Sequence, residues 1–192
     1  IRLIGAPTEA GAGRRGCGMG PAAYRTAGLA DELSALGHAV ADLGEITAQD
    51  APIACASAPL KQMGAVAGST RALYAAALIQ ARSPSIPIYL GGDHSLSLDT
   101  VPAHAAVARS QGRPLFVLWL DAHADFKTFS STESGNLHGT PLAFACGLSG
   151  FDALLGHPNP APIEPSHACI LGLRSIDGKE RELLRASDVQ GT

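Results

Sequence analysis

Apolar residues fall along this chain in short runs set apart by glycine and proline. Ile1–Ile4 is an apolar run closed by Gly5 and Pro7 and predicts a strand. A glycine-rich loop follows to Gly20. Pro21 then suits a helical first turn, and Ala22–Leu36 carries helical spacing that Gly37 ends. Ala39–Leu43 predicts a second strand, 45–59 is irregular, and Leu60 to about Ala81 is an alanine-rich helical pattern. Pro87–Leu90 is a continuous apolar strand ending in Gly91-Gly92. Ser95–Ser110 is mostly helical, with Pro102 limiting its regularity. Pro114–Leu120 is the most apolar strand of all. Beyond the Ser/Thr-rich loop 128–136 come a short helix at Pro141–Cys146, a proline-rich loop from Gly156 to Pro165, a fifth strand at His167–Leu173 and a last helix from about Gly178 to Ala186.

Strands thus alternate with helices, and the central strands read as apolar on both faces. That pattern predicts an α/β fold: three layers, α/β/α, around a mainly parallel sheet, in one domain over residues 1–192. No internal repeat and no domain boundary is visible.

Composition narrows the function classes. Charged residues make up 16% of the 192, below the usual ~25%. Fourteen Lys/Arg against seventeen Asp/Glu give a net charge of −3 without any block of like charge. A nucleic-acid partner is therefore not expected, because binding to phosphates needs clustered cations. No run reaches the ~20 apolar residues of a membrane span. Cys17, Cys55, Cys146 and Cys169 lie far apart, in neither a zinc nor a disulfide spacing, and read as free thiols of a cytoplasmic protein. The chain opens without a secretory pattern and without Met, which predicts a processed or trimmed start.

Gly11-Ala12-Gly13-Arg14-Arg15-Gly16 fits the G-x-G-x-x-G dinucleotide pattern, with Asp42 at the end of the second strand. In a dinucleotide fold that motif follows its strand at once and opens the helix. Here the helix starts only near Pro21, so a bound phosphate would miss its N-terminus. The expectation is instead a flexible loop at the edge of an active site.

Two strand ends carry the chemistry: Gly91-Gly92-Asp93-His94-Ser95 and Asp121-Ala122-His123-Ala124-Asp125. Ligands of α/β sheets bind beyond the carboxyl ends of the strands. In extended chain, residues two apart share a face, so Asp121, His123 and Asp125 can point the same way. Charges placed directly after an apolar strand need compensation, and a metal ion supplies it. Two carboxylates and one imidazole, with His94 as a second, suit Mn²⁺ better than structural zinc.

These motifs resemble those of the ureohydrolase (arginase) family. Gly5-Ala6-Pro7, Gly18-x-Gly20-Pro21-Ala22-Ala23-x-Arg25 and Gly28-Leu29 are similar to its N-terminal segment. The two clusters above are similar to its first two metal motifs. Ser134-Gly135-Asn136-Leu137-His138-Gly139 resembles the substrate loop of its arginine-specific members, and Gly172-Leu173-Arg174-x-x-Asp177 a further strand end. The resemblance implies a site for two Mn²⁺, with His94, Asp121 and Asp125 on one ion and His123 with bridging Asp121 on the other. It implies attack of a bridging hydroxide on the guanidinium carbon of L-arginine, giving ornithine and urea, with His138 shuttling protons. Ser134 and Asn136 are implied to hold the substrate carboxylate, and Asp177 with Glu180 the amino group; the local reading of Asp177 is a helix N-cap. Lys127 stands where the family usually has Asn, and can either pair with the substrate carboxylate or point to solvent. Homo-oligomers, trimers or hexamers, are implied as well.

Two divalent ions bring a charge of +4 against −2 from Asp121 and Asp125, and four side chains do not fill two coordination spheres. After Asp177 the chain offers only Glu180, Glu182 and Asp188, not the family's later Asp-x-Asp motif. The expectation is a C-terminally truncated member with an incomplete sheet. Its alternatives are an agmatinase or other guanidino-compound hydrolase, an inactive family member binding at most one metal, and a nucleotide-binding oxidoreductase.

Overall fold

The computed structural model describes residues 1–53 and 60–191; the end of the irregular segment 45–59 and Cys55 lie outside the described residues. Leu3 and Ile4 in the first predicted strand are fully buried. This strand, β1 (Arg2–Ala6), is the centre of a parallel three-stranded sheet with β2 (Ala41–Glu45) on one side and β3 (Pro87–Gly91) on the other. A second parallel sheet has the order β4 (Val117–Leu120), β5 (Ala168–Leu171), β6 (Gln190–Gly191). The sixth strand was not expected: two residues with no apolar pattern pair with Cys169 and Ile170 of β5. Register in the second sheet sets Val117 opposite Ala168 and Leu120 opposite Leu171, so β4 and β5 end level with one another.

The helical pattern over 22–36 divides into α1 (Gly20–Thr26) and α2 (Leu29–Ala35). Gly28 separates them with φ of 80°, a left-handed conformation that only glycine adopts at little cost. α3 (Met63–Ala81) buries Met63, Val66, Ala67, Thr70, Leu73, Tyr74 and Ala77, the three-and-four spacing of a helix face. Its small residues allow close approach to α4 (Ser97–Ser110), which accommodates Pro102 in its second turn and buries Leu98, Ala103, Ala105 and Val107. Two short helices follow, α5 (Pro141–Ala145) and α6 (Asp152–Leu155), before α7 (Gly178–Arg185).

The core lies where α3, α4, α5 and α6 meet the second sheet. Phe126, Phe144, Phe151, Leu137, Leu142 and Leu154 are all at most 1% exposed there. Each contributes roughly 1.5–3 kcal/mol relative to an exposed position. The expectation that central strands are covered on both faces holds for only one face of β4. Trp119 is buried, whereas Leu118 and Leu120, and Phe116 just before the strand, are more than 60% exposed.

Candidate metal centre

The centre is assembled at the carboxyl ends of β3 and β4. After β3, Gly92 lies so close to the Thr8 carbonyl that a side chain there would collide with it. Asp93 then turns the chain: it is 5% exposed, and its carboxylate accepts hydrogen bonds from the amides of Ser95 (2.9 Å) and Ala12 (2.8 Å). The residue beside the metal motif thus anchors the loop and the start of a 3-10 turn, leaving His94 to face the centre. The His94 ring stacks on Trp119 of β4 at a centroid distance of 4.6 Å.

Past β4, the segment 121–125 runs beside 172–176. The amides of Arg174 and Ser175 donate to the Ala122 carbonyl, and His123 forms an isolated parallel bridge with Ser175. Asp125 has φ of 48°, a left-handed backbone unusual for a residue with a side chain. Its carbonyl accepts from Leu142 and Ala143 at the N-terminus of α5, which holds it in that conformation. The result swings the Asp125 carboxylate toward His94.

His94 Nδ1 lies 2.7 Å from Asp125 Oδ2 and 3.1 Å from Asp121 Oδ2. One ligand atom from each of these three residues falls within 4.8 Å of the others. Asp125 Oδ2 is buried beside the imidazole without a well-formed hydrogen bond. Donor atoms that crowd together without bonding one another fit a shared cation, and the mixture of two carboxylates with one imidazole fits a divalent one. Burial lowers the basicity of His94, but Asp125 and Asp121 outweigh it and hold the pKa above its ordinary value. A cation would relieve the same concentration of negative charge.

His123 stands outside this three-residue group. Its Nδ1 is 3.3 Å from Asp121 Oδ1, and its side chain is 61% exposed. Asp121 therefore presents one oxygen to His94 and the other to His123. Both face a cavity of about 490 Å³ that is also lined by Asp125, Lys127, His138, Asp177 and Glu180. That volume is in the range of small-molecule sites.

His138 reaches the cavity from a 3-10 turn at Leu137–Gly139, and its amide donates to the Gly11 carbonyl. Through Ala12 to Asp93 and Gly11 to His138, the glycine loop ties the His94 turn to the His138 turn; the helix after it begins at Gly20, away from any phosphate the loop would bind. The only sequence signal for this anchoring role of Asp93 is its place in Gly-Gly-Asp-His.

The remaining residues divide. Asp177 caps α7, accepting from the Glu180 amide at 2.9 Å, as its local sequence predicts. Glu180 is 2% exposed and accepts from the Phe126 amide at 2.9 Å. Lys127 takes neither expected course: Nζ pairs with Asp177 Oδ2 at 2.7 Å and approaches Glu180 Oε2 to 3.9 Å. These two acids come from a helix 50 residues further along the chain, so local spacing could not reveal them. Burial opposes the charge on both Lys127 and Asp177, but their pairing outweighs it, holding Lys127 above and Asp177 below the ordinary values. Burial raises Glu180, with the Phe126 amide and Lys127 opposing it. Ser134 and Asn136 do not line the cavity: the Ser134 hydroxyl accepts from the Asn136 amide, and Asn136 Oδ1 is buried without a partner.

The sequence pattern of the arginase family matches residues 1–190. This chain belongs to the arginase family. Arginase of Agrobacterium fabrum is 45% identical to it over 190 residues, which are 98% of this chain and 58% of that protein. The native structure of Bacillus caldovelox arginase superposes with a TM-score of 0.85 at 33% identity, covering all of this chain and 64% of that one. Entamoeba histolytica arginase in complex with L-ornithine gives a TM-score of 0.83 at 26% identity, over 99% and 63%. The chain thus spans about three-fifths of the length of these family members. Its fold is arginase-like, with parallel strands and helices and, among the described residues, no closed barrel. No helix among the described residues is long and apolar enough to cross a membrane.

Proposed function

We propose that the chain carries the metal-binding and proton-transfer half of an arginase-type amidinohydrolase, which acts on the guanidino C–N bond of L-arginine to give L-ornithine and urea. The observation that carries this reading is the convergence of His94, Asp121 and Asp125 on one point inside a cavity that also holds His138. His94, Asp121 and Asp125 would hold one Mn²⁺, and His123 would join the second oxygen of Asp121 on another. When bound, such ions supply a nucleophilic water at neutral pH and Lewis-acid stabilisation of the charge that develops on the substrate.

The chain's own residues do the rest. His138, which lines the cavity, passes a proton to the leaving amine nitrogen. The Lys127, Asp177 and Glu180 wall meets the amino-acid end of the substrate. Trp119, stacked on His94, fixes the ring so that Nδ1 keeps facing the two aspartates. The family membership and the arginase relatives support this reading, as does the donor set of the centre.

Urea release in the presence of Mn²⁺ tests it. L-Arginine is expected to yield urea and agmatine not; the reverse pattern rejects arginine as the substrate and favours an agmatinase. His123→Asn is expected to lower Mn²⁺ affinity and urea formation together, by tenfold or more. Unchanged Mn²⁺ binding in that variant removes His123 from the site.

A further inference from the structure

We propose that Glu180 is a positioning residue of the metal centre: its carboxylate fixes the Asp125–Phe126 peptide and so aims the Asp125 carboxylate. This rests on the metal-centre reading above and gives Glu180 a task apart from any contact with substrate. Glu180 is 2% exposed, and its Oε1 accepts from the Phe126 amide at 2.9 Å. It therefore meets the chain one residue after Asp125, from a helix 54 positions further on. Its own amide donates to Asp177 Oδ1 at 2.9 Å, so the cap of α7 holds the turn that delivers it.

The peptide linking Asp125 to Phe126 is gripped at both polar ends. Its carbonyl accepts from the amides of Leu142 (3.1 Å) and Ala143 (3.3 Å), and its N–H donates to Glu180. One residue on, the Lys127 amide donates to the Gly139 carbonyl at 3.2 Å. Fixing the peptide plane fixes ψ of Asp125, whose φ of 48° is already left-handed. Such backbone costs any residue with a side chain, so Asp125 stays there only while its neighbours hold it. Phe126, fully buried in the core, anchors the far side of the peptide. Without Glu180 its buried N–H loses its partner, a cost that favours turning the peptide toward water. The same turn carries Asp125 Oδ2 away from its place 2.7 Å from His94 Nδ1. What the site requires of residue 180 is thus an acceptor oxygen at the right reach, not a charge. Glutamine meets that requirement; aspartate, one methylene shorter, does not.

Two substitutions separate reach from charge when Mn²⁺ dissociation constants are measured by titration calorimetry on the whole chain. Glu180→Gln is expected to bind Mn²⁺ within about threefold of the wild type, because the hydrogen bond survives. Glu180→Asp is expected to bind about ten- to a hundredfold more weakly, the usual loss when a ligand's supporting partner is withdrawn. The reverse order overturns the inference in favour of a charge effect, and wild-type affinity in both variants overturns it as well. Amide hydrogen exchange on the metal-free chain reads the same bond without metal. The Phe126 amide is expected to be protected in the wild type and in Glu180→Gln, and to exchange about tenfold faster in Glu180→Asp. Amides of α3 that accelerate equally show a global loss of stability and overturn the positioning role. A freely exchanging Phe126 amide in the wild type overturns it even where Glu180→Asp does not fold. A wild type that binds no Mn²⁺ overturns the metal-centre reading and this inference together, whereas the variant outcomes bear on this inference alone.

Discussion

Asp125 combines two roles that a single side chain rarely holds. Its backbone sits in the left-handed region, where its carbonyl caps α5, and its carboxylate crowds against His94 without a hydrogen bond. Asn tolerates left-handed backbone as well as Asp does, so Asp125→Asn removes the charge and spares the turn. Mn²⁺ affinity, followed by titration calorimetry, is expected to fall at least tenfold in this variant, with the circular dichroism spectrum unchanged. Asp177 shows the other kind of coupling. Lys127 and the α7 amides hold its carboxyl below the usual value, so folding favours its charged form. The stability it contributes is present above the unfolded carboxylate range of about 3.9 and is lost as pH falls through the lower folded value. Asp177→Ala is therefore expected to cost about 1 kcal/mol at pH 7 and progressively less below pH 4. Urea denaturation at both pH values measures the difference.

At the scale of elements, local chemistry sets where each piece starts and stops. Helical spacing over 22–36 contains no proline to mark a break, and the periodicity runs straight through Gly28. The structure turns there because Gly28 can take φ of 80° and start α2 in a new direction. Gly28→Ala forces a side chain into that conformation and is expected to destabilise the protein by roughly 1–2 kcal/mol, read as a lowered denaturation midpoint without loss of helix signal. The same weakness of local signals hid β6. Gln190–Gly191 has no strand pattern, and its place is set by the free edge of β5. By contrast β1, β3, the core of α3 and the α7 cap were legible, because burial on a regular face leaves a periodic mark.

The whole molecule has two parallel sheets rather than one, with β3 and β4 as edge strands among the described residues. The exposed Leu118 and Leu120 of β4, with Phe116 just before it and Leu171 of β5, form an apolar surface of the sort that associates or aggregates in water. Replacing Leu118 and Leu120 together by Ser is expected to reduce binding of the dye ANS and slow aggregation at 37 °C. Because neither side chain is buried, the thermal midpoint is expected to change little. Increased dye binding would show instead that the two leucines are packed.

The sequence by itself determined the alternation of parallel strands and helices, the donor-bearing strand ends at His94 and Asp121–Asp125, and membership of the arginase family. Each of these is written locally, as periodicity or as a motif within a few residues. Only the tertiary structure decided that Lys127 pairs with Asp177 and Glu180 and that the glycine loop joins the His94 and His138 turns. It alone also separated His123 from the three-residue group and left one face of β4 uncovered. These are contacts between residues tens to more than a hundred positions apart in the chain. Charge pairing and burial at such separations depend on where the chain returns, which no local pattern records.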